Sequence, residues 1–278
     1  MKKIYFFFFV SLFPLFVFAG GENLVAGAAE TGMGGTNATA QNVFSAHNNP
    51  AGLGFVKNIS FGLYADRPFL IKDINNFNLS VALPFEKIGA FGVDVNFLGY
   101  SAYNEMRAGF SYARSFGDKV SAGVKFDYLR LAIRDNGAKN TFAFGVGLQY
   151  QPLKQLRIGA YVYNPVALNV DKMYKEKLAT SFNLGLSYLP SDKFTITVEG
   201  EKELNEKARF KAGIEYNPIK PVFVRVGAAT GPTVISLGLG TAFKNFKIDA
   251  AASWHMQLGI TPQVSIIYAI KKKAKNEK

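Results

Sequence analysis

The chain has 278 residues, of which 49% are hydrophobic and 19% charged, with 26 Phe, 13 Tyr, 27 Gly and no Cys. This composition excludes a disordered or highly charged coiled protein, and the lack of Cys excludes a disulfide framework, a thiolate metal site and a cysteine nucleophile. The formal charge of +12 is a weak nucleic-acid footprint: Lys2 and Lys3 open the leader and five lysines against one glutamate close the chain, leaving roughly +6 spread thinly between.

Residues 1–19 read as a secretory signal peptide. Lys2 and Lys3 precede an apolar run from Ile4 to Phe18, and Val17 and Ala19 hold the two cleavage-determining positions. The alternative is a membrane anchor, for which the run is short and interrupted by Pro14. Residues 20–57 form a different block, rich in Gly, Ala, Thr and Asn and lacking period-two alternation. Met33-Gly34-Gly35 and Asn49-Pro50-Ala51-Gly52-Leu53 are its most distinctive stretches. Small residues and turn formers suit a compact plug inside a lumen, anchored by Phe44, Leu53 and Phe55; the alternative is a flexible linker.

From about residue 58 to 270 the pattern has period two. Val120, Ala122, Val124, Phe126 and Tyr128 alternate with Ser121, Gly123, Lys125 and Asp127, and Phe182, Leu184, Leu186 and Tyr188 alternate with Asn183, Gly185 and Ser187. Successive side chains of a strand face opposite ways, so each segment has one apolar and one polar, Gly-rich face. About fourteen such segments are expected, starting near Asn58, Asn76, Ile88, Tyr103, Val120, Asn140, Leu156, Ala179, Phe194, Ala208, Val222, Thr233, Phe246 and Pro262. Most run roughly 9–12 residues, the length of a tilted membrane-crossing strand.

The connections alternate. Pro84–Lys87, Phe116–Lys119, Pro152–Gln155, Pro190–Lys193, Asn217–Pro221 and Lys244-Asn245 are tight turns. Ala65–Asn75, Gly99–Ala102, Arg134–Lys139, Asn164–Leu178, Leu204–Lys207, Gly231-Pro232 and His255–Thr261 are more varied. Short turns on one side and longer loops on the other fit an outer-membrane barrel with both termini periplasmic. Residues 271–278 read as a solvated basic periplasmic tail.

Charge placement defines the two faces. Asp94, Arg107, Lys125, Asp127, Glu199, Lys211, Glu215, Arg225, Lys247 and Asp249 all fall on the polar face and are expected to face the lumen. Acids and bases alternate there without a single-sign ring, which favours pairing across strands over a selective constriction. Tyr64, Phe91, Tyr150, Tyr188, Tyr216 and Tyr268 lie near strand ends and are expected in interfacial girdles. The fold class is therefore all-β: one transmembrane antiparallel barrel of about fourteen strands with an N-terminal plug. The expected location is the outer membrane of a Gram-negative bacterium, with outer-membrane lipid as surroundings.

The Met33-Gly34-Gly35 stretch, Asn49 to Leu53, the strand meander and the late Gly259–Tyr268 segment together resemble the PorV/PorQ group of FadL-like outer-membrane proteins. That resemblance implies a fourteen-stranded barrel with an N-terminal hatch. Its PorV-like members serve type IX secretion as shuttles or barrel subunits, so the implied partner is a larger outer-membrane barrel or secretion and assembly complex. Its FadL-like members move hydrophobic solutes through a pocket and a lateral opening near the third strand, which gives the alternative of a hatch-gated channel for hydrophobic or small solutes.

No catalytic, cofactor or metal site is expected. There is no Gly-x-Ser-x-Gly, and the two histidines, His47 and His255, fall in the plug and in an outer loop. Phe69, Leu70 and Ile71 in one outer loop, and Met173 and Tyr174 in the longest, are candidates for partner contact. The other reading of these loops is that they fold back over the barrel mouth.

Overall fold

The computed structural model describes residues 24–166, 178–204 and 206–270. The leader, the basic tail, Met173 and Tyr174 lie outside the described residues. Fourteen strands run along the chain: β1 (Ile59–Asp66), β2 (Asn75–Phe85), β3 (Gly89–Gly99), β4 (Tyr103–Phe116), β5 (Val120–Ile133), β6 (Gly137–Leu153) and β7 (Leu156–Tyr163), then β8 (Ser181–Ser191), β9 (Phe194–Glu203), β10 (Arg209–Tyr216), β11 (Val222–Ala229), β12 (Val234–Phe243), β13 (Phe246–His255) and β14 (Gly259–Ile270). Each begins within three residues of its expected start.

Every strand pairs antiparallel with its sequence neighbours, and β1 pairs with β14 from Ile59↔Ile270 to Asp66↔Gln263, closing the ring. Closure gives each strand a partner on both sides, the condition for a sheet with no water around it. Register shifts occur between Tyr150 and Leu153 in β6 and between Tyr188 and Ser191 in β8. Pro152 and Pro190 fall in these two intervals, where a residue without an N–H is tolerated. The expected loops 134–139 and 255–261 are shorter than their sequences imply. Ala138 and Lys139 join the β5 ladder opposite Ala132 and Leu131, and Gly259 to Thr261 join the β13 ladder.

Burial alternates along the strands, with the apolar set outward. Leu184 is 63% and Leu237 62% exposed, while Asn183 and Ser236 beside them are buried. An apolar exterior on all sides far exceeds the patch size a water-soluble monomer exposes, so the surroundings are lipid. Aromatic rings cluster at the short-turn end: Phe194 and Tyr216 stack at 4.6 Å, Phe246 and Tyr268 lie 4.8 Å apart, and Tyr112 donates to the Ile88 carbonyl at 2.6 Å. Such rings with a polar tip suit a membrane–water boundary. Tyr64 departs from the expected girdle. Its parity on β1 turns it inward, where it is buried edge-on against Phe44 at 6.4 Å.

Candidate functional site

Residues 24–56 fill the middle of the barrel. Ala28–Gly32 forms one short helix, α1, and Val43–Ala46 and Pro50–Phe55 form 3-10 turns. Local chemistry dictates both turns. Asn42 Oδ1 accepts from the Phe44 N–H at 2.9 Å, and Asn49 Oδ1 accepts from the Ala51 N–H at 3.1 Å with Pro50 at the first turn position. Val43, Phe44 and Leu53 supply the apolar contacts of the segment and are at most 1% exposed.

The wall receives this segment in notches made by glycine. A methyl group on Gly123 would lie 2.6 Å from the Pro50 carbonyl carbon, one on Gly92 would lie 2.7 Å from Leu53 Cδ1, and one on Gly213 would lie 2.4 Å from Met33 Cβ. Gly34 has φ +75°, and a side chain there would meet the Ala228 carbonyl oxygen at 2.7 Å, so both its backbone angle and its closeness to β11 call for glycine. Within strand interiors every glycine except Gly200 faces inward.

Polar wall side chains complete the docking by serving plug backbone groups. Ser121 Oγ donates to the Ala51 carbonyl at 2.7 Å, Ser111 Oγ to that of Ala46 at 2.9 Å, and Gln149 Nε2 to those of Ala38 and Ala40 at 2.9 and 3.0 Å. Asn49 Nδ2 donates to the Ala38 carbonyl at 2.6 Å, tying the second 3-10 turn back to the middle of the segment. Glu30, on α1, is buried; Asn42 Nδ2 donates to it at 2.6 Å, and desolvation raises its carboxyl above the ordinary value.

The ten charged residues expected in the lumen form three groups. In the first, Lys125 Nζ lies 3.1 Å from Asp94 Oδ1 and 3.2 Å from Asp127 Oδ1, and donates to the plug carbonyl of His47 at 3.0 Å. The His47 ring spans the same junction, with one nitrogen 2.8 Å from Asp94 Oδ2 and the other 2.8 Å from the Leu24 carbonyl oxygen. Arg107 sits beside them, its guanidinium 5.0 Å from the Tyr163 ring. In the second, Lys211 contacts Glu199 at 3.1 Å and Glu201 at 2.5 Å and donates to the Gly35 carbonyl at 3.1 Å. Glu199 Oε2 accepts from the Asn37 and Ala38 N–H groups, both at 2.8 Å. In the third, Arg225 joins Glu215 at 2.6 Å and Asp249 at 2.8 Å, with Lys247 half-buried over the Phe223 ring at 4.9 Å. The first two groups hold wall to plug; the third ties β10, β11 and β13 together.

Glycine also shapes the ion pairs. Asp94 and Asp127 approach from either side of Gly109, and a methyl group there would lie 2.3 and 2.5 Å from their oxygens. Gly240 plays the same part between Arg225 and Asp249. An empty position on the intervening strand lets charges on next-nearest strands meet.

At the loop end, above the plug, the lumen opens into a vestibule of ≈ 520 Å³. Its β1–β3 side is largely apolar and aromatic, with Leu24, Val25, Tyr64, Phe69, Ile74 and Leu98 around the Asp66 carboxylate. Its β8–β10 side is charged, with Asn183, Glu201, Glu203, Arg209 and Lys211. Of the outer-loop residues proposed for partner contact, Phe69 turns inward to line this space and lies 5.6 Å edge-on from His255, whereas Leu70 and Ile71 face out. Tyr64, Phe69, Glu201 and His47 were not singled out for this site by sequence. Two of them carried a usable signal in their parity: Glu201 shares that of Glu199, and Tyr64 that of Gly62 and Ser60.

The arrangement defines a membrane-spanning barrel whose lumen holds its own amino-terminal segment, with a chamber on the loop side. No family model matches the chain, and no curated protein does. Solved structures do. The chain is similar to the Pseudomonas putida toluene transporter TodX, with a TM-score of 0.69, 12% identity and coverage of 91% of this chain and 100% of that one. It is similar to the CymD monoaromatic hydrocarbon channel, at 0.67, 15%, 90% and 99%, and to a Pseudomonas aeruginosa FadL homologue, at 0.63, 10%, 88% and 97%. The fold is thus the FadL-like one. The lateral opening implied near the third strand is not seen in the β3 ladders. β3 pairs with β2 from Gly89 to Gly99 and with β4 from Ala90 to Gly99, without a shift on either side.

Proposed function

We propose that the chain is a non-enzymatic outer-membrane channel that admits small hydrophobic solutes, with the vestibule as receiving site and residues 24–56 as its gate. The vestibule carries this reading. It combines a largely apolar, aromatic wall with a charged one, and its ≈ 520 Å³ falls in the size range of small-molecule sites. Two of the similar structures, by name a monoaromatic hydrocarbon channel and a toluene transporter, support this reading over a subunit of a secretion complex. The PorV/PorQ and type IX expectation, and the larger partner barrel that went with it, find no support among them.

The test is uptake of a labelled monoaromatic hydrocarbon by vesicles containing the chain, beside vesicles without it. Faster uptake by the chain, lowered by Phe69→Asp while the barrel stays folded, is the expected result. Equal rates with and without the chain refute the channel.

A further inference from the structure

The outer wall does not end in the same way around the barrel. At the β5–β6 hairpin the chain turns through Arg134 and Asp135, which are exposed and charged. At the β13–β14 hairpin the outward series of β13 runs through Trp254 and continues past the strand end into Met256 and Leu258, the three exposed by 53%, 66% and 56%. The β1–β2 loop stands beside it because β1 pairs with β14. It is pinned there: the Arg67 N–H donates to the Pro262 carbonyl at 3.2 Å, and the Phe69 N–H donates to Thr261 Oγ1 at 3.0 Å.

Within that loop Phe69 and Leu70 have φ of +53° and +56°. Bulky residues rarely adopt this region, at a cost on the order of 1 kcal/mol each. The result is a side-chain split. Phe69 goes inward to the vestibule, and Leu70, 58% exposed, goes out beside the apolar hairpin. One loop therefore connects the chamber to an apolar rim that continues the lipid-facing wall.

We propose that this rim, formed by Leu70, Ile71, Trp254, Met256 and Leu258, is seated in the acyl layer of the outer leaflet, and that hydrophobic solute reaches the vestibule from that leaflet across it. The occupant follows from continuity. The rim extends the lipid-contacting surface of β13, β14 and β1 without an intervening charge on the hairpin, and although the exposed Arg67, Lys72 and Asp73 flank it in the adjoining loop, Leu70 follows Phe69 directly and joins the rim to the vestibule. The route rests on the channel reading; the seating of the rim does not.

The chain has no Cys and a single Trp, so labelling is clean. Leu70→Cys, Met256→Cys and, as an aqueous control, Asp135→Cys are each labelled with a polarity-sensitive fluorophore in phosphatidylcholine vesicles. Quenching by brominated acyl chains is compared with quenching by iodide. The first two probes are expected to respond to bromine and resist iodide, and the control to do the reverse. Probes at 70 and 256 that behave like the control overturn the seating. For the route, uptake of a hydrocarbon predissolved in the vesicle lipid is compared with uptake from water, for the native chain and a Leu70→Asp/Met256→Asp variant whose folding is checked by heat-modifiable migration. Loss of the lipid-delivered component alone supports the route. Uptake from water but not from lipid by the native chain overturns the route and leaves the channel standing, whereas no uptake from either source overturns the channel and the route together.

Discussion

Lys125→Met tests whether the lumenal charges hold the plug. Lys125 Nζ is 3.1 Å from Asp94, 3.2 Å from Asp127 and 3.0 Å from the His47 carbonyl oxygen, and the lysine is 2% exposed. Methionine matches the stem in length and keeps its packing. It leaves two buried carboxylates across the empty position of Gly109 and a plug carbonyl without its donor. Breaking a buried pair from one side costs roughly 3–5 kcal/mol, because the partner charge stays behind.

The assay is urea unfolding in vesicles, followed by Trp254 fluorescence and by the shifted migration of unheated barrel. A loss of that size is expected, with partial recovery in Lys125→Met/Asp127→Asn, which removes one stranded charge. Protease cleavage within residues 47–53 is expected to rise in step. Stability within about 0.5 kcal/mol of the native chain, the scatter of ordinary surface substitutions, would refute the electrostatic argument. A large loss of stability with unchanged cleavage would place Lys125 in the wall alone and refute its hold on the plug.

Three further substitutions separate the faces of the wall. Gly123→Ala should destabilise by about 1–3 kcal/mol through overpacking against Pro50, while Gly200→Ala, whose new methyl has Phe210 as its nearest neighbour at 3.9 Å, should be neutral or slightly stabilising; equal effects in the unfolding assay would contradict the notch reading. Leu237→Arg places a charge mid-strand on the lipid side and should cost about 2–4 kcal/mol in vesicles, and no effect there would put β12 outside the bilayer.

The barrel was legible because its two solvents differ. Lipid outside and polar contents inside force alternation on nearly every strand, so parity alone assigned Asp94, Lys211 and Arg225 to one face and Leu184 and Leu186 to the other. Parity does not say which polar residues meet. That depends on register and on what occupies the intervening strand, so the bridge from Arg225 past Gly240 to Asp249 was hidden. Tyr64 was misplaced because an aromatic near a strand end suits both a girdle and a plug contact, and only its parity with Gly62 and Ser60 distinguishes them. The inward glycines were visible as a pattern. Their role as seats for Met33, Pro50 and Leu53 needed the partner in place.

Those seats constrain how the gate can work. Burial of Val43, Phe44 and Leu53 is worth roughly 1.5–3 kcal/mol apiece, before Lys125, Lys211, Glu199 and Gln149 are counted. Expelling the whole segment thus leaves on the order of one molecule in a thousand open, or fewer, and strands Glu199 and Lys125 without their plug partners. A solute in the vestibule meets the upper surface of the plug, at Leu24, Val25, Thr31, Gly34, Gly35 and Asn37. Of these, Gly35 has φ +79° and its nearest outside neighbour, Val25 Cγ2, is 3.9 Å from where a side chain would begin, in contrast to the tight fit at Gly34. Passage that displaces this upper turn and leaves the Asn49–Leu53 base seated disturbs the Lys211–Gly35 and Glu199–Asn37 contacts and spares the group around Lys125. The predicted signature is that Lys211→Met alters solute uptake more than Lys125→Met does at equal loss of stability; the opposite ranking would locate the moving part at the base.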